Sequence, residues 1–277
     1  MNTRTRILGW CLILYAATAL VTLSSVWQHV LHPVAAGLVQ PIDATIENGV
    51  IFFVAFSFFT FGMVRFLRAA RVSLALILPV ALVVGVQFIL AGWISNPWSI
   101  GLAIAFVVAL QVAPLVITHD IVVMLGIGGI AGLLGMSLTP LIACVILALL
   151  ALYDIVSVYR TRHMVALAER MLESGAVFGF LIPPFVSGFF ERRDVVIRER
   201  SVMMLGSGDI GLPLILASSA LSQSVGAAIA VTLSSLVGVG VMQWLFARQE
   251  QSAPMAALPP IALAAILGYL GALLLGI

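Results

Sequence analysis

Long apolar runs recur along this chain and restrict what it can fold into. A helix needs about 20 apolar residues to cross the hydrocarbon core of a bilayer, and 62% of the 277 residues are hydrophobic while 9% are charged. The sequence therefore predicts an all-α, multi-pass protein of the cell membrane, with the lipid bilayer as its surroundings. Nine spans are predicted, at 7–27, 49–66, 72–94, 98–118, 121–138, 141–158, 202–221, 225–245 and 259–275.

The arginines indicate how these spans are oriented. Cytoplasmic loops of membrane proteins collect basic residues, and all 13 basic residues of this chain are arginines. With nine spans, every arginine falls on one side of the membrane. We therefore expect a cytoplasmic amino terminus and an extracytoplasmic carboxyl terminus. The first apolar run is followed by no clear small-residue cleavage site, so we expect a retained span rather than a signal peptide.

One integral membrane domain is expected, with its parts at 1–160 (spans one to six), 161–200 (a cytoplasmic loop) and 201–277 (spans seven to nine). The loop begins with an amphipathic helical extension and contains a second apolar segment, AVFGFLIPPFVSGFF at 176–190. This segment is short and is broken by Pro183-Pro184. We expect it to lie in the membrane interface or to enter the bundle. A solvated linker helix followed by a disordered loop is the alternative.

Two carboxylates, Asp154 and Asp209, lie well inside predicted spans. A charged aspartate in the middle of a bilayer costs roughly 2.5 to 3.5 kcal/mol, so its presence calls for a functional reason. Counted from Arg160 and Ser201 at about 1.5 Å per residue, the two lie about 9 and 12 Å from the same membrane side. The remaining acidic residues, among them Asp120, are expected in loops or at span edges.

Carboxyls that share a depth on adjacent helices could approach within hydrogen-bonding distance. Repulsion then opposes ionisation of both, which leaves one acid and one base at neutral pH. In aspartic proteases such a pair activates water and polarises the scissile carbonyl.

Three motifs occur in order around these carboxylates: Tyr153-Asp154, Gly206-Ser207-Gly208-Asp209 and Ala257-Leu258-Pro259. They resemble the YD, GxGD and PAL signatures of the presenilin and signal peptide peptidase family of intramembrane aspartyl proteases. The resemblance implies a presenilin-like bundle that hydrolyses peptide bonds in transmembrane segments of membrane proteins or in signal peptides. One departure is Ala256, which stands where many members have proline.

By this resemblance Asp154 and Asp209 are the catalytic pair. The residues expected to bind substrate or support the active site are Tyr153, Gly206, Ser207, Gly208, Ala257, Leu258 and Pro259. Glycine leaves room for another backbone to approach, and an extended substrate could pair with an exposed backbone edge. The predicted sources of that edge are the segments 176–190 and 256–260.

Two other functions are compatible with paired intramembrane acids. One is a proton- or ion-coupled transporter. The other is a prepilin-type aspartyl peptidase, although there a lysine is expected soon after the aspartate, and this chain has Ile210-Gly211.

No cofactor, metal or nucleic-acid partner is expected, and the formal charge of +2 is small and scattered. A homo-oligomer is compatible with the sequence. The glycine-rich GIGGIAG at 126–132 predicts close helix packing rather than a dinucleotide loop, since no strand precedes it.

Overall fold

The computed structural model describes residues 3–31, 71–160, 177, 179–199, 202–248 and 255–277. The predicted span 49–66 and the amphipathic extension after Arg160 lie outside these residues. In chain order, the described α-helices are α1 (Thr3–Leu31), α2 (Arg71–Ala91), α3 (Trp98–Val112), α4 (Val116–Ser137), α5 (Pro140–Tyr159), α6 (Arg193–Arg198), α7 (Ser207–Leu221), α8 (Val225–Arg248) and α9 (Leu258–Leu275).

Five of the described helices, α1, α4, α5, α8 and α9, are long and apolar enough to cross a membrane. Shorter apolar helices occur in α2, α3 and α7. The chain is therefore mostly helical, as predicted. The count of nine spans and the orientation of the termini stay predictions.

Helices α4 and α7 occupy the centre of the described bundle. Helix α4 packs on α1, α2 and α7, and α7 also packs on α5, α8 and α9. At the crossing of α2 and α4, a Cβ added to Gly85 or Gly129 would overlap the backbone of the opposite helix. Gly128 lies against Thr22 of α1. The packing role predicted for the glycines of 126–132 is confirmed.

The break between the predicted spans 98–118 and 121–138 lies earlier in the chain than predicted. Helix α3 ends at Val112 and α4 begins at Val116. The cause is Pro114, which has no N–H to donate and disfavours helical geometry in the preceding residue.

The very short connections at Asn96-Pro97 and Thr139-Pro140 predict that the helices on either side of each are antiparallel neighbours. Helices α2 and α3 do pack on each other, but α5 packs on α7 and α9 rather than along α4. Small and medium residues of α5, including Ala143, Leu147 and Ala151, share a buried cluster with residues of α7 and α9. Burial of this face outweighs the tendency of a short connection to form a hairpin.

The chain is not all-α as predicted, because two short strands pair beside the bundle. Strand β1 (Gly179–Ile182) is antiparallel to β2 (Met203–Gly206), with Gly179 opposite Gly206 and Ile182 opposite Met203. The predicted helical span beginning at residue 202 was therefore wrong in its first turn, since α7 begins at Ser207. The hydrogen bonds of β2 go to β1 instead of along a helix.

The apolar segment 176–190 enters the bundle within its described part. All four residues of β1 are buried, and a 3₁₀ helix (Val186–Phe190) follows. The solvated linker with a disordered loop was the wrong alternative for residues 179–190.

The start of α4 anchors this segment. The N–H of Val116 donates to the carbonyl of Glu191 at 3.1 Å, and the N–H of Arg193 donates to the carbonyl of Pro114 at 2.8 Å. Phe189 contacts Trp10 of α1 edge to face, with ring centroids 5.0 Å apart. Strand β1 is thus held between α1, α4 and β2.

Candidate active site

The structure places the two intramembrane carboxylates predicted from the sequence on adjacent helices, where they interact electrostatically. Asp154 lies near the end of α5 and Asp209 lies in the first turn of α7, and these helices pack on each other. The carboxylates interact electrostatically, and both side chains are only partly buried. Within the described part of the chain, the site is therefore a pair of acids that remains open on one side.

Asp154 also contacts the beginning of α9. The N–H of Leu258 donates to Asp154 Oδ2 at 3.2 Å. Leu258 is the first residue of α9, and the next two residues, Pro259 and Pro260, have no N–H. Helix amino termini carry unpaired N–H groups and a partial positive charge that favour a carboxylate. Here the prolines leave Leu258 as the donor that faces Asp154.

Local backbone geometry explains the position of Asp209. Gly206 is extended, with φ −64° and ψ 143°, and it is the N-cap of α7, so that Asp209 is the third helical residue. The backbone of Gly206 donates a hydrogen bond to the Asp209 carboxyl, which is the return contact of a capping box. A Cβ at Gly206 would lie 2.9 Å from Asp209 Oδ2. Glycine therefore keeps this carboxyl unobstructed.

The open side of the site lies beside Gly208. This residue is exposed, and a Cβ added there would meet only Leu212 Cδ1, at 3.9 Å. Pro213 lies inside α7, and because it has no N–H, the carbonyl of Asp209 lacks its usual helical hydrogen bond. Ser207 is partly buried at the start of the same helix.

The other predicted site residues lie near this pair. Tyr153 precedes Asp154 on α5 with its side chain 50% exposed, and Ala257 and Pro259 are partly buried on either side of Leu258. Among the described residues, no group of three or more His, Cys, Asp or Glu side chains could hold a metal ion. The functional roles assigned to these residues from the sequence stay predictions.

Two polar residues next to this region were not singled out from the sequence. His119 and Asp120, in the second turn of α4, are 2% and 3% exposed. They bond the backbone of β1, at Gly179 and Leu181. The available signal is a histidine next to an acid inside an apolar run; Asp120, predicted to lie in a loop or at a span edge, in fact lies within α4.

The family follows from a comparison with known proteins. A family model described as signal-peptide peptidase, presenilin aspartyl protease matches residues 42–277, which include all three motifs. The chain belongs to this family. It is an intramembrane aspartyl protease and an integral membrane protein, in a family that acts on membrane-protein substrates within the bilayer.

Solved structures agree with this family. A presenilin family intramembrane aspartate protease in space group C222 is 28% identical, with a TM-score of 0.68, covering 97% of this chain and 99% of that one. A presenilin family intramembrane aspartate protease in space group P2 is 27% identical, with a TM-score of 0.61, covering 93% and 96%. A search of curated proteins gave no match. The family predicted from the three motifs is confirmed, and the transporter and the prepilin-type peptidase are set aside.

Proposed function

We propose that Asp154 and Asp209 are the catalytic pair, and that they hydrolyse peptide bonds in transmembrane segments of membrane proteins or in signal peptides. The observation that supports this proposal is the electrostatic interaction of the two carboxylates across the packed helices α5 and α7, with the N–H of Leu258 donating to one of them. Two acids that interact electrostatically can divide the roles of base and acid, because ionisation of one opposes ionisation of the other.

The chemistry needs only these two groups and water. The ionised carboxylate accepts a proton from water as the water oxygen attacks the scissile carbonyl carbon, and the protonated carboxyl donates to the carbonyl oxygen. The tetrahedral intermediate collapses when its C–N bond breaks: the nitrogen takes the proton that the first carboxylate accepted from water, and a hydroxyl of the intermediate gives a proton to the second carboxylate, which restores the pair. The products are a new carboxyl terminus and a new amine.

A substrate helix must unwind before this step, because its carbonyls are engaged in its own hydrogen bonds. Strand β2 offers a place for the unwound segment, since no third strand borders β2 in the described part of the chain. Its last residue, Gly206, lies three residues before Asp209. An extended substrate paired with β2 would therefore pass close to the catalytic carboxyls. The proposed edge, Met203–Gly206, lies outside both segments predicted to supply it: 176–190 supplies the partner strand β1, and the start of α9 supplies a donor to Asp154.

The experiment is cleavage of a fluorescent single-span reporter by the purified protein in detergent. Wild type is compared with Asp154→Asn and Asp209→Asn, which keep size and lose acidity, and the product masses are determined. We expect cleavage inside the apolar segment and a loss of at least about a thousandfold in both variants, because neither half of the pair can act alone. Each variant is first shown to have the wild-type Tm.

Cleavage that persists in either folded variant would show that the pair is not the catalytic unit. Products cut outside the apolar segment would contradict the proposed substrate class. They would not contradict the proposal that Asp154 and Asp209 are the catalytic pair.

A further inference from the structure

Two adjacent side chains of α4 bond the same strand in complementary ways. His119 Nε2 lies 3.0 Å from the carbonyl oxygen of Gly179, and the N–H of Leu181 donates to Asp120 Oδ1 at 2.9 Å. A carbonyl only accepts, so His119 carries its proton on Nε2 and donates. One side chain thus supplies a donor and its neighbour supplies an acceptor.

These contacts occupy the edge of β1 that faces away from β2. In an antiparallel pair the N–H and C=O of each residue point to one side, and successive residues alternate. Gly179 and Leu181 direct their groups to α4, so Phe180 and Ile182 direct theirs to β2. The Gly179 carbonyl and the Leu181 N–H flank Phe180, and they are the two groups that one residue of a parallel strand would bind. His119 and Asp120 together replace the backbone of such a residue.

The remaining contacts fix β1 in this register. Phe180, Leu181 and Ile182 are fully buried, and a Cβ at Gly179 would lie 2.6 Å from the carbonyl oxygen of Leu205 in β2. A slip by one residue would turn every side chain to the opposite face and place a bulkier residue against Leu205. The register of β1 in turn sets the position of β2, which leads directly into the helix that carries Asp209.

We propose that His119 and Asp120 are positioning residues that close the β1 edge and hold the strand pair in register, so that an unwound transmembrane segment can add only at β2. An unpaired strand edge is a template for any extended chain, and here one of the two edges is filled by side chains. This inference rests on the proposed function, and it extends that function to residues outside the three motifs.

The test uses pairs of substitutions that keep or remove each hydrogen bond. Asp120→Asn keeps a carbonyl oxygen as acceptor, whereas Asp120→Leu has a similar size and no acceptor. His119→Gln keeps a donor near Nε2, whereas His119→Leu has none. For each purified variant, kcat and KM for the single-span reporter, Tm, and product masses are measured. Asp209→Asn is run in the same series.

We expect Asp120→Asn and His119→Gln to cleave within about threefold of wild type at the wild-type site. In Asp120→Leu and His119→Leu, kcat falls at least about tenfold, and the products include new cleavage positions, because the strand pair no longer has one register. New positions are the readout that a loss of stability alone would not produce.

Wild-type kcat and a single unchanged product in folded Asp120→Leu and His119→Leu would overturn the inference. So would losses that simply follow the amount of folded protein, equal in the conservative and the apolar variants. If Asp120→Leu does not fold, the comparison of His119→Gln with His119→Leu tests the inference by the same criteria. Cleavage by Asp209→Asn would instead contradict the proposed function, so the two failures are distinguishable.

Discussion

The consecutive helices α4 and α5 are both apolar and have similar lengths, with 22 and 20 residues, yet their surroundings are opposite. Helix α4 is enclosed by α1, α2, α7 and β1. Helix α5 leaves one face uncovered near its end, where Leu152, Tyr153 and Tyr159 are at least half exposed. Each helix carries one carboxylate in its apolar length.

The two carboxylates differ in the same way as their helices. Asp120 on α4 is enclosed and bonds a strand of its own chain. Asp154 on α5 is partly exposed, and it faces a second carboxylate. An acid inside an apolar helix therefore does not by itself indicate one role. Enclosure with a backbone partner indicates a positioning role, whereas partial exposure beside a second acid leaves room for substrate and water.

The largest effect on stability is expected where α4 is most tightly packed. Gly129→Ala places a methyl group onto the backbone of Gly85, so α2 and α4 must separate. We expect a loss of about 3 kcal/mol or more in the free energy of unfolding. Thermal unfolding in detergent measures it, with Gly271→Ala as the control, because a Cβ there meets nothing within 4 Å. An equal Tm for the two variants would mean that the crossing is looser than the structure has it.

The contact of α9 with Asp154 should affect activity rather than stability. Replacing Leu258 by its α-hydroxy acid converts the N–H into an ester oxygen and leaves the side chain unchanged. Hydrogen bonds to charged groups contribute about 1.5 to 3 kcal/mol, so we expect kcat to fall about tenfold or more. The same replacement at exposed Leu263 of α9 removes an ordinary helical N–H and serves as control. Equal rates for the two esters would exclude a role for the Leu258 donor.

A smaller effect is expected at the glycine beside Asp209. Gly206→Ala places a Cβ 2.9 Å from Asp209 Oδ2, so the carboxyl must move by a few tenths of an ångström. We expect a severalfold fall in kcat. Gly208→Ala leaves the carboxyl in place, because its Cβ meets only Leu212 at 3.9 Å. If substrate passes beside Gly208, Gly208→Ala raises KM instead. Steady-state kinetics on Gly206→Ala and Gly208→Ala therefore distinguishes an effect on the catalytic carboxyl from an effect on substrate binding.

The smallest effect is expected at an exposed ion pair beside the start of α4. The side chain of Asp194 accepts a hydrogen bond from Arg192 at 3.2 Å, and this contact lowers the pKa of Asp194. A lowered pKa stabilises the fold above the ordinary pKa of aspartate and loses that contribution as the pH falls through the acidic range. Both side chains are exposed, so the contribution is small. Asp194→Asn should leave Tm at pH 7 within about 1 °C, and a larger shift would show that the pair is coupled to the bundle.

The sequence was informative where the signal is local. Long apolar runs predicted a helical membrane protein, since hydrocarbon admits few other structures. The acids Asp154 and Asp209 stood out because each is costly inside a span. The glycines of 126–132 predicted close packing, and Gly129 does contact Gly85.

It was misleading where the deciding partner is distant along the chain. Met203–Gly206 continues into the apolar residues of α7, so nothing local separates a strand from a helical turn; its partner β1 lies about 24 residues earlier. Asp120 stands immediately before the predicted span 121–138, where an exposed acid would be ordinary. Only its contact with Leu181 distinguishes it from a surface acid. The packing of α5 on α7 and α9 likewise depends on buried side chains from all three helices, which are distant from one another along the chain.

The most direct measurement is the cleavage rate per folded molecule for Asp154→Asn and Asp120→Asn, side by side on the single-span reporter. Both substitutions replace one carboxylate by its amide in consecutive helices. We predict that Asp154→Asn falls to background while Asp120→Asn stays within about threefold of wild type, because only the first removes a proton-transfer group. Cleavage by Asp154→Asn, or an equally complete loss in Asp120→Asn, would contradict the division of roles between the two helices.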